Sequence, residues 1–371
     1  MVYKASSATV VRGGYGIYYN LVERMGSEDQ LSLNPPGLRN ISITAPAGST
    51  TPALILRNGF PANYLDVANI NYRTLLLRTA QRDGESSMFH QFAIGVERQM
   101  STSFVASVDA IGSIGRNITL LRNLNQPANG NGARPYPSFG AIQYRDHAGE
   151  SRYRGLDLSL EKRFSRGHSY RVSYTLGDQR DNTPEHLSAA SPRPQNTNDL
   201  AAWTGPGDND IRHRFVGSFI ADLPLGTNPI ARDWLVATIL TAHTGRPFTA
   251  TQGSLEGAGW VPNRVSDTEG EKTVNSWFNV SDFQVVPAGT FGNAGRNILR
   301  GPGWMTVDMS LQRRIVMNGS FAAILRYDVF NLMNRTNFGN PNADITAGNR
   351  ATITSLAGDP RSMQFSVRLE F

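Results

Sequence analysis

The sequence of 371 residues contains no cysteine. Disulfides and thiolate metal sites are therefore excluded, although this absence does not fix the compartment. Lysine is almost missing as well, because Lys4, Lys162 and Lys272 are the only examples and arginine supplies nearly all of the positive charge behind the net value of +6. The arginines stand singly among acidic neighbours instead of forming blocks, and this pattern argues against nucleic-acid binding.

Long apolar runs are also absent. No stretch approaches the roughly 18 apolar residues of a membrane helix, and the first residues, MVYKASSATVVRGG, lack the apolar segment of a signal peptide. We therefore expect either that the protein is not exported or that its natural beginning lies upstream of Met1. Only 39% of the residues are hydrophobic and 18% are charged. Gly, Asn, Ser and Thr fill the difference, which suits strands and polar loops better than helices.

Apolar and polar residues alternate with a period of two in segments along the whole chain, which is the pattern of strands with one apolar face. The segment 362–371, SMQFSVRLEF, alternates without interruption up to the last residue. The same pattern predicts ten strands in total, at residues 8–20, 88–100, 103–112, 153–164, 169–178, 213–224, 233–245, 305–317, 321–334 and 362–371.

Short and long connections alternate between these predicted strands. The short ones are ST at 101, SRGH at 165, LGTNPIAR at 225 and NGS at 318. The long ones occupy residues 21–87, 113–152, 179–212, 246–304 and 335–361. Outer-membrane barrels combine short periplasmic turns with long extracellular loops, and their tilted strands need about 9 to 11 residues. The sequence therefore predicts an all-β protein, an antiparallel transmembrane β-barrel that is partial, with about ten strands.

The two faces of the predicted strands differ in polarity. Asp157, Glu161 and Arg171 fall on one face, which a water-filled lumen tolerates and lipid does not. Lys162 interrupts the apolar face only beside a turn, where we expect its side chain to reach toward the interface. The residues predicted to face lipid are Leu156, Leu158, Leu160, Tyr170, Val172, Tyr174, Val307, Met309 and Leu311.

Eight stretches, in the same order and spacing, resemble the TonB-dependent outer-membrane receptors, in particular the Oar-like branch abundant in acidobacteria. They include VVRGGYGIYYN, YRGLDLSLEKRFSRGHSYRVSYTLGDQRDN, GTFGNAGRNILRGPGWMTVDMSLQRRI and GDPRSMQFSVRLEF. The resemblance implies location in the outer membrane, where the loops bind a large nutrient such as a saccharide, peptide or chelate that is then passed across the membrane. It also implies that the last strand closes against the first. The barrel-assembly machinery would read this last strand as a signal, through Phe365, Val367, Leu369 and Phe371.

The chain departs from this family in two ways. Neither the N-terminal plug domain nor the segment that engages TonB is visible, and plugged transporters close with about 22 strands, roughly twice the number predicted. We therefore expect residues 1–371 to be the C-terminal portion of a barrel, from a truncated or split gene or a remnant. Its expected partners are outer-membrane lipid and the assembly machinery, and it would reach TonB only through a plug that this chain lacks.

Two short motifs resemble ligand-binding sites, one for phosphate and one for a cation. The run RGGYG at 12–16 resembles a phosphate-binding loop, but it lies inside a strand pattern and opens no helix. Asp208, Asp210 and His213 could hold a cation, but the further ligands of a calcium loop are missing. We favour a local ion pair of Asp210 with Arg212 or Arg214.

No nucleophile motif or paired histidine spacing appears, so we predict no enzyme activity, no cofactor and no metal site. The alternative function is a soluble or surface-attached β-rich module that binds carbohydrate. That alternative predicts that the face of Leu156, Leu158 and Leu160 is covered by protein in a dry core between two sheets, whereas a barrel leaves this face bare.

Overall fold

The computed structural model describes residues 1–20, 34–35, 37, 43, 45–60, 66, 68, 70–183, 193–226, 228, 231–253, 257–318 and 321–371. Within these ranges the protein consists of strands, turns and two 3-10 helices, Leu56–Asn58 and Val280–Asp282. None of the helices in this described part is long and apolar enough to cross a membrane.

Seventeen strands are present in these ranges. In chain order they are β1 (Val2–Lys4), β2 (Thr9–Asn20), β3 (Leu77–Ala80), β4 (Ser87–Gln99), β5 (Phe104–Asn123), β6 (Ile142–Ser165), β7 (His168–Asp181), β8 (Gly205–Pro206), β9 (His213–Leu223), β10 (Trp234–His243), β11 (Pro247–Phe248), β12 (Asn263–Arg264), β13 (Phe283–Gln284), β14 (Leu299–Arg300), β15 (Trp304–Asn318), β16 (Phe321–Phe330) and β17 (Ser362–Glu370).

Thirteen of these strands form one large sheet with the order β1-β2-β4-β5-β6-β7-β9-β10-β15-β16-β17. Neighbours on this path are antiparallel, while β3 pairs in parallel with β6 and β8 pairs with β7 off the path. Two small sheets, β11-β14 and β12-β13, lie in the long connection between β10 and β15. The ten predicted strands are all present, and the prediction of an all-β antiparallel fold is confirmed.

The predicted ends of two strands are wrong. β5 has 20 residues and β6 has 24, and both continue well past the predicted segments toward the long loops. Their extensions lack strict alternation, and a register shift between Gly115 and Ile118 interrupts the ladder. Asn117, with φ of 55°, lies in this irregular part. A bulge of this kind hides the period-two signal on which the prediction depends.

The alternation of connection lengths is confirmed. Short turns join β4 to β5 and β6 to β7, whereas connections 124–141, 182–212, 244–303 and 331–361 are long. Because consecutive strands of the path are antiparallel, these short turns fall at one end of the sheet and these long connections at the other. We call these the short-turn end and the long-loop end.

A two-residue turn joins β6 to β7. Its central residues, Arg166 and Gly167, both have positive φ, 53° and 79°, as a type I′ hairpin turn requires. Lys162 is only 6% exposed, and its Nζ donates to the carbonyl oxygens of Ser165 and His168, at 2.7 Å each. The side chain of Lys162 therefore runs toward the turn at the short-turn end, the direction expected of it, and the turn carbonyls hold its ammonium there.

The expected closure of the barrel is not seen. Among the described residues, β17 pairs with β16, and β1 pairs with β2, but no pairing joins the two ends of the sheet. The path contains eleven strands, about half of the 22 with which plugged transporters close. As far as its residues are described, the sheet is therefore open, and neither β1 nor β17 has a partner strand on its outer side.

Candidate functional site

The charged face of the sheet is organised around Arg12. The residues Arg12, Gly95 and Asp109 stand in one row across β2, β4 and β5. The guanidinium reaches across Gly95 and donates to both carboxylate oxygens of Asp109, at 3.0 and 2.9 Å, and to Glu97 at 3.3 Å. A Cβ at position 95 would stand 1.9 Å from Asp109 Oδ1, so glycine provides the space for this contact.

Further ion pairs lie on the same face. Arg171 contacts Glu161 at 2.6 Å, and Arg326 contacts Asp328 at 2.9 Å. All of these side chains keep some exposure to solvent, and exposed pairs contribute only about 0 to 1 kcal/mol each. This face is therefore charged and partly exposed, and its ion pairs are a minor source of stability.

The glycine run at 12–16 is part of β2, as predicted, and opens no helix. A Cβ on Gly16 would stand 2.9 Å from the ring of Tyr18, whereas one on Gly14 would meet no atom within 4 Å. Glycine therefore relieves crowding at position 16, whereas the space around position 14 does not require it.

The long loops form a folded unit with its own core. We call residues 193–212, 244–253, 257–303 and 331–361 the loop module. Its buried cluster combines side chains from three connections: Trp203, Phe248, Ala250, Trp260, Val261, Phe278, Phe283, Ala294, Ile345 and Ala351. Trp203 and Trp260 meet edge to face with ring centroids 5.1 Å apart. An edge-to-face pair of rings stabilises a core by more than the burial of its surface area alone contributes.

Arg296 connects the loop module to the sheet. Its side chain is 3% exposed and pairs with the carboxylate of Asp181, the last residue of β7. The same guanidinium donates to the carbonyl oxygen of Thr183 at 2.8 Å and to Asp208 Oδ1 at 2.8 Å. Asn297 donates to Asp208 as well, at 2.7 Å. A buried guanidinium is stable only with this kind of full complement of acceptors.

The residues considered for a cation site have other partners. Asp210 pairs with Arg300 and accepts the backbone N–H of Gln179 at 2.8 Å, while Arg212 pairs with Asp178 at 2.9 Å. The predicted pair of Asp210 with Arg212 or Arg214 is therefore wrong, because an arginine 90 residues away reaches the carboxylate. His213 Nδ1 contacts Tyr174 Oη at 2.7 Å. No group of three possible metal-binding side chains occurs in the described residues.

Two loop carboxylates have a lowered pKa. Burial raises the pKa of Asp282, but hydrogen bonds from the Ser266 and Thr268 hydroxyls and the Thr268 backbone N–H outweigh it. The same balance lowers the pKa of Asp344, which accepts from Thr346. Both carboxylates therefore stay ionised at neutral pH and stabilise the loop turns around them.

The opposite face of the sheet is apolar and largely exposed. Leu158 stands opposite Val108 on β5 and Tyr174 on β7, so the register places these side chains on one face. The nine residues predicted to face lipid all lie there. Leu156, Leu158 and Leu160 are 37%, 39% and 37% exposed, and the other six are half-buried. No second sheet in the described residues covers this face.

The residues proposed as the assembly signal extend the same face along β17. Phe365, Val367 and Leu369 are 65%, 55% and 58% exposed. The ring of Phe371 stacks on that of Phe321, with centroids 6.0 Å apart. Their role as a signal stays a prediction.

Sequence reasoning missed the residues that organise the loop module. Arg296 lies 115 positions from Asp181 and 88 from Asp208, so no local pattern connects them. The only hint is the conspicuous stretch GNAGRNILRG around Arg296, which carried the family resemblance without indicating a partner.

The sequence matches the family model described as "Outer membrane beta barrel domain" over residues 1–364. The chain belongs to this family of outer-membrane barrel domains. This barrel-domain chain is therefore an outer-membrane protein of the Gram-negative type, as predicted. Membership indicates a membrane role without enzymatic chemistry. Comparison of the barrel-domain sequence with curated proteins finds no match.

Two solved outer-membrane proteins are similar to this chain at low sequence identity, and the first of them shows the same type of fold. The outer membrane transporter YddB from Escherichia coli is 10% identical, with a TM-score of 0.57; the match covers 99% of this chain and 39% of that one. The ferric-catecholate import receptor Fiu from E. coli K12 is 12% identical, with a TM-score of 0.46 and coverage of 100% and 34%. The barrel-domain chain spans less than two fifths of the length of these structures. Membership of an outer-membrane barrel family and the barrel-type fold are confirmed, while the assignment to the TonB-dependent receptors and to their Oar-like branch stays a proposal.

Proposed function

We propose that this chain is part of the wall of a TonB-dependent, Oar-like receptor and carries its ligand-binding loops. The observation that supports this proposal is the division of one sheet into an exposed apolar face and a charged face, with a folded module at the long-loop end. Hydrocarbon would solvate the apolar face, including the nine predicted residues, and water would fill the charged side.

In this proposal the loop module binds a large nutrient, such as a saccharide, peptide or chelate. Irregular segments held on a rigid sheet commonly carry recognition. The aromatic core and the buried ion pairs of the loop module hold its exposed surface in place before the ligand arrives. Less conformational entropy is then lost on binding. The nutrient would pass inward when a plug, supplied outside residues 1–371, is pulled by TonB.

The free edges at β1 and β17 would be paired by further strands. An unpaired edge exposes a row of N–H and C=O groups that hydrocarbon cannot satisfy. We therefore propose that residues 1–371 are the C-terminal portion of a larger barrel. The assembly machinery would recognise β17 through Phe365, Val367, Leu369 and Phe371.

Two neighbouring substitutions test the orientation of the sheet in the membrane. Val172 and Ser173 are adjacent on β7 and point to opposite faces. Val172→Arg would place a charge in lipid, at a cost of about 2 to 4 kcal/mol near the midplane, and should reduce the amount of heat-modifiable protein in the outer membrane. Ser173→Arg should assemble normally. Equal effects of the two substitutions, or recovery of the wild type as a soluble monomer, would contradict the proposal and favour the soluble carbohydrate-binding module.

A further inference from the structure

The outward face of the sheet carries a cluster of arginines directly above its apolar band. Along β6 every second residue from Arg152 to Leu160 is exposed, so Arg152 and Arg154 continue the row of Leu156 and its apolar neighbours toward the long-loop end. Arg180 on β7 stands directly opposite Arg152 and is exposed as well. The charge therefore begins where the hydrocarbon-facing residues end.

Two of the three acidic neighbours of these arginines pair with other residues. Together with Arg116 they line one open cleft of ≈ 410 Å³, in which the carboxylates are Glu150, Asp178 and Asp181. Asp178 already pairs with Arg212 at 2.9 Å, and Asp181 pairs with Arg296. None of the four cleft arginines forms a salt bridge within the part of the chain that the structure describes.

The opposed pair Arg152 and Arg180 is unfavourable by itself, because like charges directly opposite on one face repel. An anion between them would remove this repulsion. Guanidinium groups bind phosphate with two parallel hydrogen bonds, more specifically than an ammonium does. Long loops mark the extracellular end of outer-membrane barrels, so this cleft lies at the headgroup level of the outer leaflet.

We propose that this cleft binds the phosphorylated headgroup of an outer-leaflet glycolipid, the lipid A of lipopolysaccharide, while the acyl chains lie along Leu156, Leu158 and Leu160. The proposal rests on the proposed membrane orientation, and two features support a lipid over a free anion. The cationic cleft is continuous with the apolar row on β6, and both are presented on the same outward face. A soluble phosphate would use only the first feature.

The test uses the full-length wild-type chain and two variants, each extracted from the outer membranes of a Gram-negative host. Lipid A retained per chain is measured by native mass spectrometry for the wild type, the Arg152→Gln/Arg180→Gln double variant and Arg98→Gln. Arg98 is the matched control, because it is exposed on the same outward face but at the short-turn end, opposite Ala106 of β5.

We expect the double variant to lose affinity for lipid A about tenfold or more, because each charge-assisted hydrogen bond contributes on the order of a tenfold change. Arg98→Gln should retain the wild-type amount. Added lipid A should restore binding to the delipidated wild type, whereas lipid A without its phosphates should not, and millimolar inorganic phosphate should not displace the lipid.

Several outcomes would overturn this proposal alone: equal retention by the wild type and the double variant, equal loss in Arg98→Gln, or displacement by inorganic phosphate. Heat-modifiable migration of each variant verifies that it is folded. If the wild-type chain is not found in the outer membrane, the proposed function fails as well, so the two failures are distinguishable.

Discussion

Arg12 and Asp109 form a two-bond ion pair although β4 runs between their strands. The guanidinium passes over Gly95, where the backbone of β4 presents no side chain. The ion pair between β2 and β5 thus depends on the absence of a side chain at position 95 of β4, and this dependence can be tested directly.

Gly95→Ala should destabilise the sheet. The new methyl group would stand 1.9 Å from Asp109 Oδ1, and overpacking of this kind costs about 1 to 3 kcal/mol. The measurement is the temperature at which heat-modifiable migration is lost. Gly14→Ala is the control, because a Cβ there meets no atom within 4 Å. A similar decrease in this temperature for both variants would show that Gly95 is needed for its backbone conformation and not for the ion pair.

Arg296→Ala should loosen the loop module and leave the sheet intact. It removes the partner of the buried Asp181 carboxylate, and breaking a buried pair costs about 3 to 5 kcal/mol. We expect new protease cleavage within 244–303 in the assembled protein, with unchanged heat-modifiable migration. Asp267→Asn should change little, because it removes only an exposed pair with Arg264. If residues 244–303 of Arg296→Ala remain resistant to the protease, the role of Arg296 in holding the loop module to the sheet is contradicted.

The stability of the loop module should fall in acid. The pKa of Asp282 is lower in the folded than in the unfolded protein, where it is about 3.9. Its contribution is therefore fully present above about pH 4 and is lost as the pH falls through the folded pKa. Hydrogen exchange around 266–282, measured from pH 6 to pH 3, should show this loss in the wild type.

Asp282→Asn should weaken the same region at neutral pH and abolish most of its pH dependence. Glu269→Gln provides the control, since Glu269 is exposed in the same loop, and it should keep the acid transition. An unchanged transition in Asp282→Asn would assign it to another carboxylate.

Phe371→Ala should reduce the amount of assembled protein if the last strand is read as a signal. Its ring also stacks on Phe321, so loss of packing is a competing explanation. Phe321→Ala removes the same stacking and leaves the terminal residue in place, and we expect nearly normal assembly. The measurement is the outer-membrane fraction of each variant after equal expression. Equal reductions would refute recognition of Phe371 and leave only packing.

The sheet could be predicted from the sequence because its two faces are solvated differently, and a period-two pattern records that difference at each residue. β17 and the paired strands β6 and β7 show this clearly. The parallel partner β3 was missed, because four residues carry too little pattern. The clamp of Arg296 could not be predicted either, since a buried ion pair between distant loops leaves no periodic trace.

The separate core of the loop module has a consequence for how such proteins diversify. Trp203, Trp260 and their neighbours hold the module together through contacts that do not involve the apolar wall. Under the proposed function, mutations on the exposed surface of the module would therefore leave insertion into the bilayer undisturbed, and one wall would present many specificities. Exchange of the entire module between homologous walls would then be a practical route to receptors with new ligands.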